Sequence, residues 1–265
     1  MQMNGMRMNG MRSLGGLAAL TLILAFLSGA CSPAEAGHAA GEGPEPPSSP
    51  DPESETGFRA EPDVEEILIP PPPGSRYQPE ASALESEDTG GGPSTYGSSG
   101  HFEAERSVAH VYTTDRSLEE VARYYMGLQE ETPHYMNLED MVDWDAGPEA
   151  LNIEEEPAAM LPPDEMEAAI REYVEQGYMT EEEARETVGN MEIYRKMYPK
   201  IKDVVLSTLV FDMEESPADG DYDNRQEYRW VEVEITRPFI DAANEEVRNQ
   251  TAIIYQVYHM KRQGN

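Results

Sequence analysis

The chain has 265 residues, of which 52 are acidic and 19 are lysine or arginine, and its formal net charge at pH 7 is −33. A field of this sign repels phosphate backbones and anionic lipid surfaces, because binding them requires clustered lysine and arginine. The charge therefore excludes nucleic acid as a partner. Cys31 is the single cysteine, so no intrachain disulfide can form and the hydrophobic core must stabilise the fold.

The first thirty residues have the pattern of a secretory signal peptide. Arg7 and Arg12 are the only charged residues before Glu35, and an apolar run over 14–27 follows them. A helix of that length rises about 21 Å, which is short of the roughly 30 Å hydrocarbon core of a bilayer. The run is therefore predicted to be the apolar part of a signal peptide over 1–30, and not a spanning anchor.

Small residues at 28–30 lead directly to Cys31, and this segment resembles the lipobox of bacterial lipoproteins. The resemblance implies cleavage before Cys31, attachment of diacylglycerol to its sulfur and a membrane-anchored mature protein. One position departs from the usual pattern, because Leu27 lies four residues before the cysteine instead of three. The alternative is ordinary secretory cleavage near Ala30 or Ala34, which would leave a free thiol.

Ser32 follows the cysteine, at a position where an aspartate favours retention in the inner membrane of Gram-negative bacteria. The serine resembles the class sorted to the outer membrane, so the expected location is the outer membrane, with the domain facing the periplasm or the cell surface. The expected partners are the lipid bilayer, reached through acylated Cys31, and an envelope protein that the sequence does not identify.

Two regions separate the cysteine from the predicted domain. Residues 31–63 are mostly proline, glycine, serine, alanine and glutamate, with too little apolar surface to offset the entropy of ordering, so they are predicted to be a disordered tether. Such a chain would hold the domain about 30 Å from its anchor. Residues 64–104 are predicted to be an extended lead-in rich in proline and glycine, in which the apolar run 64–69 forms a short edge segment at most.

Residues 105–262 are predicted to form one globular α+β domain. Residues 107–114 are rich in strand-forming side chains, and Ser117 with Glu120 forms a capping box that starts a helix over 117–128. The apolar residues of this helix recur with a helical period: Leu118, Val121, Ala122, Tyr125 and Leu128.

An acidic, proline-interrupted excursion is predicted over 129–162. A helix then begins at Pro163 and ends before Gly177, and a second begins after Thr180 with another capping box and ends before Pro199. These two helices are predicted to form a helical hairpin inserted between strands.

Three strong strands are predicted at 203–213, 228–236 and 251–260. The middle strand alternates valine and isoleucine with Glu232 and Glu234, which predicts one buried and one solvated face. The expected fold class is α+β: an antiparallel sheet of about four strands with one packed helix and the inserted helical hairpin.

One stretch resembles a recurrent, mostly uncharacterised module of bacterial secreted proteins and lipoproteins. In that module a Pro-Gly turn leads to a strand that ends in threonine, and then to a helix whose Glu-Val and aromatic pair pack on the sheet. The resemblance implies a fold and no activity. It is carried by Pro72-Pro73-Gly74-Ser75, Val111-Tyr112-Thr113-Thr114-Asp115, Ser117, Glu119-Glu120-Val121 and Tyr124-Tyr125.

One loop has the spacing of a metal site. Asp219, Asp221 and Asp223 alternate as in the opening of an EF-hand calcium loop. The twelfth position is Trp230, however, where that loop requires a bidentate glutamate. Aspartate and glycine are equally typical of a solvated hairpin turn, and the flanking strands favour the turn. The calcium site is therefore kept as the alternative.

The other polar residues indicate no reaction. Asp140, Asp143 and Asp145 surround Trp144 at irregular spacing without a histidine, which favours a solvated loop anchored by the tryptophan. The five histidines include no pair with zinc-ligand spacing. Two of them fall in predicted strands, where structural roles are expected: His110 and His259. No catalytic residue and no cofactor is predicted.

The expected function is that of a membrane-anchored envelope lipoprotein whose domain is a non-enzymatic binding or structural module. The alternative is a calcium-binding or enzymatic domain with a site built from scattered acidic residues.

Overall fold

The computed structural model describes residues 60–87, 94–97, 100–147, 150–159, 161–217, 220–222 and 224–263. The predicted signal peptide, Cys31 and the predicted tether up to residue 59 lie outside the described residues. The described chain is a mixture of helices and an antiparallel sheet, as predicted, but the main sheet has eight strands instead of about four. None of the described helices is long and apolar enough to cross a membrane.

The first half of the chain contributes α1 (Val64–Ile67), β1 (Arg76–Tyr77), α2 (Pro79–Glu87), β2 (Ser94–Gly97), β3 (Gly100–Thr114), α3 (Leu118–Leu128) and β4 (Tyr135–Asn137). The second half contributes β5 (Glu154–Pro157), α4 (Pro163–Glu175), α5 (Glu181–Ile201), β6 (Val205–Glu214), β7 (Glu227–Arg237), β8 (Phe239–Asp241), β9 (Glu246–Arg248) and β10 (Thr251–Arg262). The main sheet has the order β1–β3–β10–β7–β6–β4, with β2 also on β3 and β5 also on β6. The strands β8 and β9 form a separate hairpin in the connection from β7 to β10.

The strands of the main sheet that the sequence analysis missed are β1, β2, β4 and β5. Each has only two to four residues, which is too short for an alternating pattern to be recognised. They pair with the two long outer strands, β3 and β6, and shorten the exposed backbone edges of the sheet. The strand β5 carries three consecutive glutamates, and such charges on an edge oppose pairing with another chain.

The described parts of the segment 64–104 are folded onto the domain and do not form an extended lead-in. Its first part forms the helical turn α1, instead of an edge segment, and Ile67, Leu68 and Ile69 are buried in the main core. Leu68 ends the turn with a positive φ of 62°, a conformation that a side chain adopts only where its surroundings hold it. Burial of these three apolar side chains stabilises this backbone conformation.

The helix α2 lies along the edge of β3 and takes the place of a neighbouring strand. The backbone N–H of Val111 donates to Ser82 Oγ at 2.8 Å, and that of Ala109 donates to Ser86 Oγ at 2.9 Å. The carbonyl of Val111 accepts from the backbone N–H of Gln78 at 2.9 Å. Because buried backbone groups must be paired, these contacts satisfy β3 between the segments that β1 and β2 cover.

The main core lies between α3, α1 and one face of the sheet. The predicted capping box starts α3: Ser117 Oγ accepts from the N–H of Glu120 at 3.2 Å, and Glu120 Oε2 accepts from the N–H of Ser117 at 2.8 Å. At the centre, Tyr125 of α3 and Tyr255 of β10 are fully buried and their hydroxyls are hydrogen-bonded to each other. Both hydroxyls are thus satisfied inside an apolar core.

The predicted helical hairpin is present as α4 and α5, inserted between β5 and β6. It turns through Gly177, whose φ of 76° favours glycine. The second helix does not end before Pro199 but continues to Ile201. Met197 and Ile201 are buried against Leu206 of β6, and this packing offsets the amide hydrogen bond that the proline lacks.

We expect Ser82→Ala to lower the free energy of unfolding by about 1–3 kcal/mol, because it leaves the buried N–H of Val111 without an acceptor. Ser75→Ala is the matched control, since Ser75 Oγ is buried and has no hydrogen-bond partner among the described residues. Urea unfolding should show a lower midpoint for the first variant and little change for the second. Equal midpoints would contradict the role given to Ser82.

Candidate functional site

Three basic side chains lie side by side across the core-facing side of the sheet, at one end of the main core. Strand register places Arg106 of β3 opposite His259 of β10, and His259 opposite Arg229 of β7. Each lies two residues from a buried valine on its own strand, and therefore on the same face. We call Arg106, His259 and Arg229 the basic row. The chain has only 19 lysines and arginines against 52 acids, so three aligned basic side chains are an exception to its general acidity.

Arg229 joins the row to its surroundings through a two-point ion pair. Its Nε donates to Glu215 Oε2 at 3.0 Å, and a terminal nitrogen pairs with the other carboxylate oxygen. The remaining terminal nitrogen donates to the carbonyl of Glu65 in α1. Hydrogen bonds from Arg229 lower the pKa of the Glu215 carboxyl, and the same contacts raise the pKa of Arg229. Arg229 thereby ties α1 to the sheet.

Glu66 of α1 lies over the same region. Its Oε1 is 3.4 Å from Nε2 of His110, a side chain that is only 2% exposed, and the hydroxyl of Tyr77 is 3.4 Å from the other ring nitrogen. The hydrogen bond with His110 lowers the pKa of Glu66 most, and His259 and Arg106 lower it further against the opposing effect of burial. The imidazole of His110 is buried between the Glu66 carboxylate and the Tyr77 hydroxyl, and this position is compatible with the structural role predicted for it.

His259 has a different environment from His110. Burial lowers its pKa, Arg106 and Arg229 lower it further, and Glu66 and Glu215 oppose this change. A histidine with a lowered pKa is neutral at pH 7. Its Nε2 is buried and has no hydrogen-bond partner among the described residues. This nitrogen is free to donate to, or accept from, a group that enters the site, according to its tautomer.

A cleft of about 330 Å³ opens beside Arg229 and His259. This volume falls within the range of small-ligand sites. Two of its cations are engaged by neighbouring carboxylates: Arg229 by Glu215, and Lys261 by Glu105 at 2.8 Å. The lining therefore presents both charge signs. It consists of Glu105, Glu215, Glu227, Tyr228, Arg229, His259, Met260 and Lys261.

The predicted calcium loop is only partly described. Asp219 and Asp223 lie outside the described residues. Asp221 accepts hydrogen bonds from the backbone N–H of Asn224 at 3.2 Å and from its side-chain amide at 2.7 Å, an arrangement typical of an aspartate turn. Across the described ranges, no group of three or more histidine, cysteine, aspartate or glutamate side chains is placed to hold a metal ion.

The acidic loop around Trp144 is not anchored by the tryptophan, which is 62% exposed. Met141 and Val142, just before it, are buried and attach the loop instead. Asp143 Oδ1 accepts from the backbone N–H of Asp145 at 3.1 Å and of Ala146 at 3.2 Å, which forms a local turn.

Sequence reasoning noticed His110 and His259 but missed Glu66, Arg106, Arg229 and Glu215. A signal was present, since Arg106, Arg229 and His259 each interrupt an apolar alternation at the same distance from a core valine. The interruption becomes meaningful only when the register of the strands is known. The chain matches no protein-family model, no curated protein and no solved structure, so the role of the site must be argued from its own chemistry.

We expect Glu215→Gln to lower the free energy of unfolding at pH 7 by about 1–2 kcal/mol, because Arg229 would keep a partly buried charge without its carboxylate. The folded pKa of Glu215 lies below its unfolded value of 4.5. Its contribution is therefore complete above that pH and is lost as the pH falls through the folded pKa. Thermal melts should show a difference from wild type that shrinks below pH 4.5.

Glu105→Gln is the matched control for that experiment. It removes a carboxylate from the exposed pair with Lys261 in the same cleft, and exposed pairs contribute little to stability. Glu105→Gln should therefore leave the melting temperature nearly unchanged at every pH. A Glu215→Gln effect that is equally small, or that persists in acid, would show that the pair with Arg229 does not stabilise the fold.

Proposed function

We propose that this protein is a bacterial cell-envelope lipoprotein: a domain anchored through acylated Cys31 that binds an envelope protein with the cleft beside Arg229 and His259. The observation that carries the anchor is the position of the single cysteine, directly after a short apolar run and three small residues. The proposed location is the outer membrane, with the domain facing the periplasm or the cell surface, because Ser32 follows the cysteine.

The described domain fits a protein displayed away from a membrane. Its first described residue is Ala60, so the segment 32–59 separates it from the anchor. The composition of that segment is that of a flexible spacer with a reach of about 30 Å. The net charge of −33 opposes close approach to an anionic bilayer. Such a domain is presented to a partner and held off the membrane surface.

The chemistry of the cleft supports binding. The carboxylates and the two paired cations offer hydrogen-bond donors and acceptors, Tyr228 and Met260 offer apolar contact, and the Nε2 of His259 has an unused hydrogen-bonding position. Mixed polar and apolar groups of this kind are typical of recognition surfaces. Because the whole domain is acidic, we propose a partner that presents a basic surface, which would be steered toward it.

The anchor is tested by replacing the cysteine. In Cys31→Ala, labelling with a palmitate analogue should be lost and the protein should move from the membrane fraction to the soluble fraction, since no other thiol is present to carry lipid. Ser32→Ala is the matched control and should keep both the label and the membrane fraction. Labelling that survives in Cys31→Ala would contradict the proposal.

The cleft is tested by photo-crosslinking in intact cells. A photoreactive residue at Glu227, on the cleft, should give a discrete adduct, whereas one at Lys202, after α5 and at the far end of β6, should not. Glu105→Lys should weaken the adduct, because it sets a positive charge in the cleft against the basic surface of the partner. Asp203→Lys makes the same change of charge away from the cleft and should have no effect. Equal adducts from both positions would contradict binding at the cleft.

A further inference from the structure

The face of the sheet opposite the main core carries a pair of stacked aromatic rings. Val231 of β7 points into the core, so Trp230 and Glu232 project from the other face. Register places Tyr258 of β10 directly opposite Trp230. The two ring centroids are 5.3 Å apart and the ring planes differ by 26°, so the rings are stacked. Both side chains are only partly buried, and they form an aromatic surface that solvent reaches.

Two carboxylates lie beside this aromatic pair on the same face. Asp212 of β6 is directly opposite Glu232, and the indole N–H of Trp230 donates to Asp212. Glu232 lies diagonally across from Tyr258, a separation that long side chains span. No described group donates a hydrogen bond to the Glu232 carboxylate or forms an ion pair with it. We call Trp230, Tyr258, Asp212 and Glu232 the aromatic–carboxylate surface.

A neighbouring position on this face shows what such a combination of groups holds. Arg225 places its guanidinium carbon 3.7 Å from the centre of the Tyr228 ring, and its Nη1 is 2.5 Å from Glu214 Oε1. Tyr228 is two residues before Trp230, and Glu214 is opposite Trp230. The position of Arg225 therefore adjoins the aromatic–carboxylate surface on the same face. There a cation is attracted both by the electrons of a ring and by the charge of a carboxylate.

The aromatic–carboxylate surface has the same two components, but among the described residues no cation lies over its rings. The described guanidinium that lies over aromatic rings is that of Arg225, and its rings are Phe102, Tyr222 and Tyr228. On the β10 side, the residue opposite Glu232 is Gln256, which is neutral. The surface therefore offers to an incoming group what the chain itself supplies to Arg225.

The charge and shape of the surface select one kind of occupant. A second copy of the chain is disfavoured, because each copy has a net charge of −33 and the two would repel. A neutral planar ligand would stack on the rings but would make no use of the Glu232 charge. A guanidinium is planar, stacks on aromatic rings and donates to a carboxylate in fixed geometry, so it matches both components.

We propose that the aromatic–carboxylate surface binds an arginine side chain of a partner protein, with the guanidinium against the Trp230–Tyr258 pair and hydrogen-bonded to Glu232. A lysine binds less tightly there, because its ammonium group is a compact and strongly hydrated charge. The proposal goes beyond the cleft beside Arg229 and His259, whose lining contains none of the four side chains of this surface.

The test uses the fluorescence of Trp230. The chain has two tryptophans, and Trp144→Phe removes the other one, which is 62% exposed. A peptide of alternating glycine and arginine, added to the full chain with this change at about 0.15 M salt, should change the Trp230 emission in a saturable manner. The same peptide with neutral citrulline in place of arginine should bind about tenfold more weakly or worse, because the charge is lost. A lysine peptide should also bind more weakly than the arginine peptide.

Glu232→Gln should weaken binding of the arginine peptide by about fivefold or more, because it removes the charge and keeps the shape of the side chain. Glu155→Gln is the matched control: it makes the same change in net charge at an exposed position of β5 and should bind the peptide as its parent does. This comparison separates a local contact from diffuse attraction to an acidic chain.

Several results would overturn the proposal. An unchanged Trp230 emission would show that the peptide does not reach the surface, and equal binding of the citrulline peptide would show that stacking without charge is sufficient. Equal binding of the lysine peptide would contradict recognition of a guanidinium. Equal weakening by Glu232→Gln and Glu155→Gln would show diffuse attraction. None of these results bears on the crosslinking at Glu227, which tests the cleft separately.

Discussion

The pairing of β10 with both β3 and β7 is the constraint on which the rest of the structure depends. These three antiparallel strands are long, and their register is continuous over most of their length. Since side chains alternate between faces, one register decides the composition of both faces at once. It places Tyr255, Val257 and Val233 in the main core. The same register aligns the basic row at the end of that core and places Glu232 and Glu234 on the opposite face.

The N-terminal segment covers the parts of the main core and of the β3 edge that the other strands leave exposed. Ile67, Leu68 and Ile69 close the core above the tyrosines, the carbonyl of Glu65 accepts from Arg229, and Glu66 covers His110. The helix α2 then satisfies the edge of β3 with two serine hydroxyls. These contacts make the segment next to the proposed tether an integral part of the fold. They also place the proposed cleft next to elements that this segment holds in place.

The charged residues at the end of the main core and those on the opposite face of the sheet differ in how their charge is balanced. At the end of the core, Arg229 and Glu215 share a two-point ion pair, which lowers the pKa of the glutamate and keeps both groups charged. On the opposite face, burial and, to a smaller extent, the neighbouring carboxylates raise the pKa of Glu234 to about 8. One arrangement loses its stabilising effect in acid and the other loses it as the pH rises.

The sequence alone determined the long elements, and its prediction of the cellular location stays a prediction. The capping box at Ser117, the apolar stripe of α3 and the alternation of β7 are local patterns. Such patterns can be recognised from consecutive residues without knowing which elements pack against them. The tertiary structure decided the rest. The short strands, the burial of 67–69 and the convergence of Glu66, Arg229 and His259 depend on contacts between residues far apart in the chain. The face of Glu234, which alternation predicted to be solvated, is instead flanked by carboxylates from α2 and β5, because alternation specifies which side chains share a face but not what packs against it.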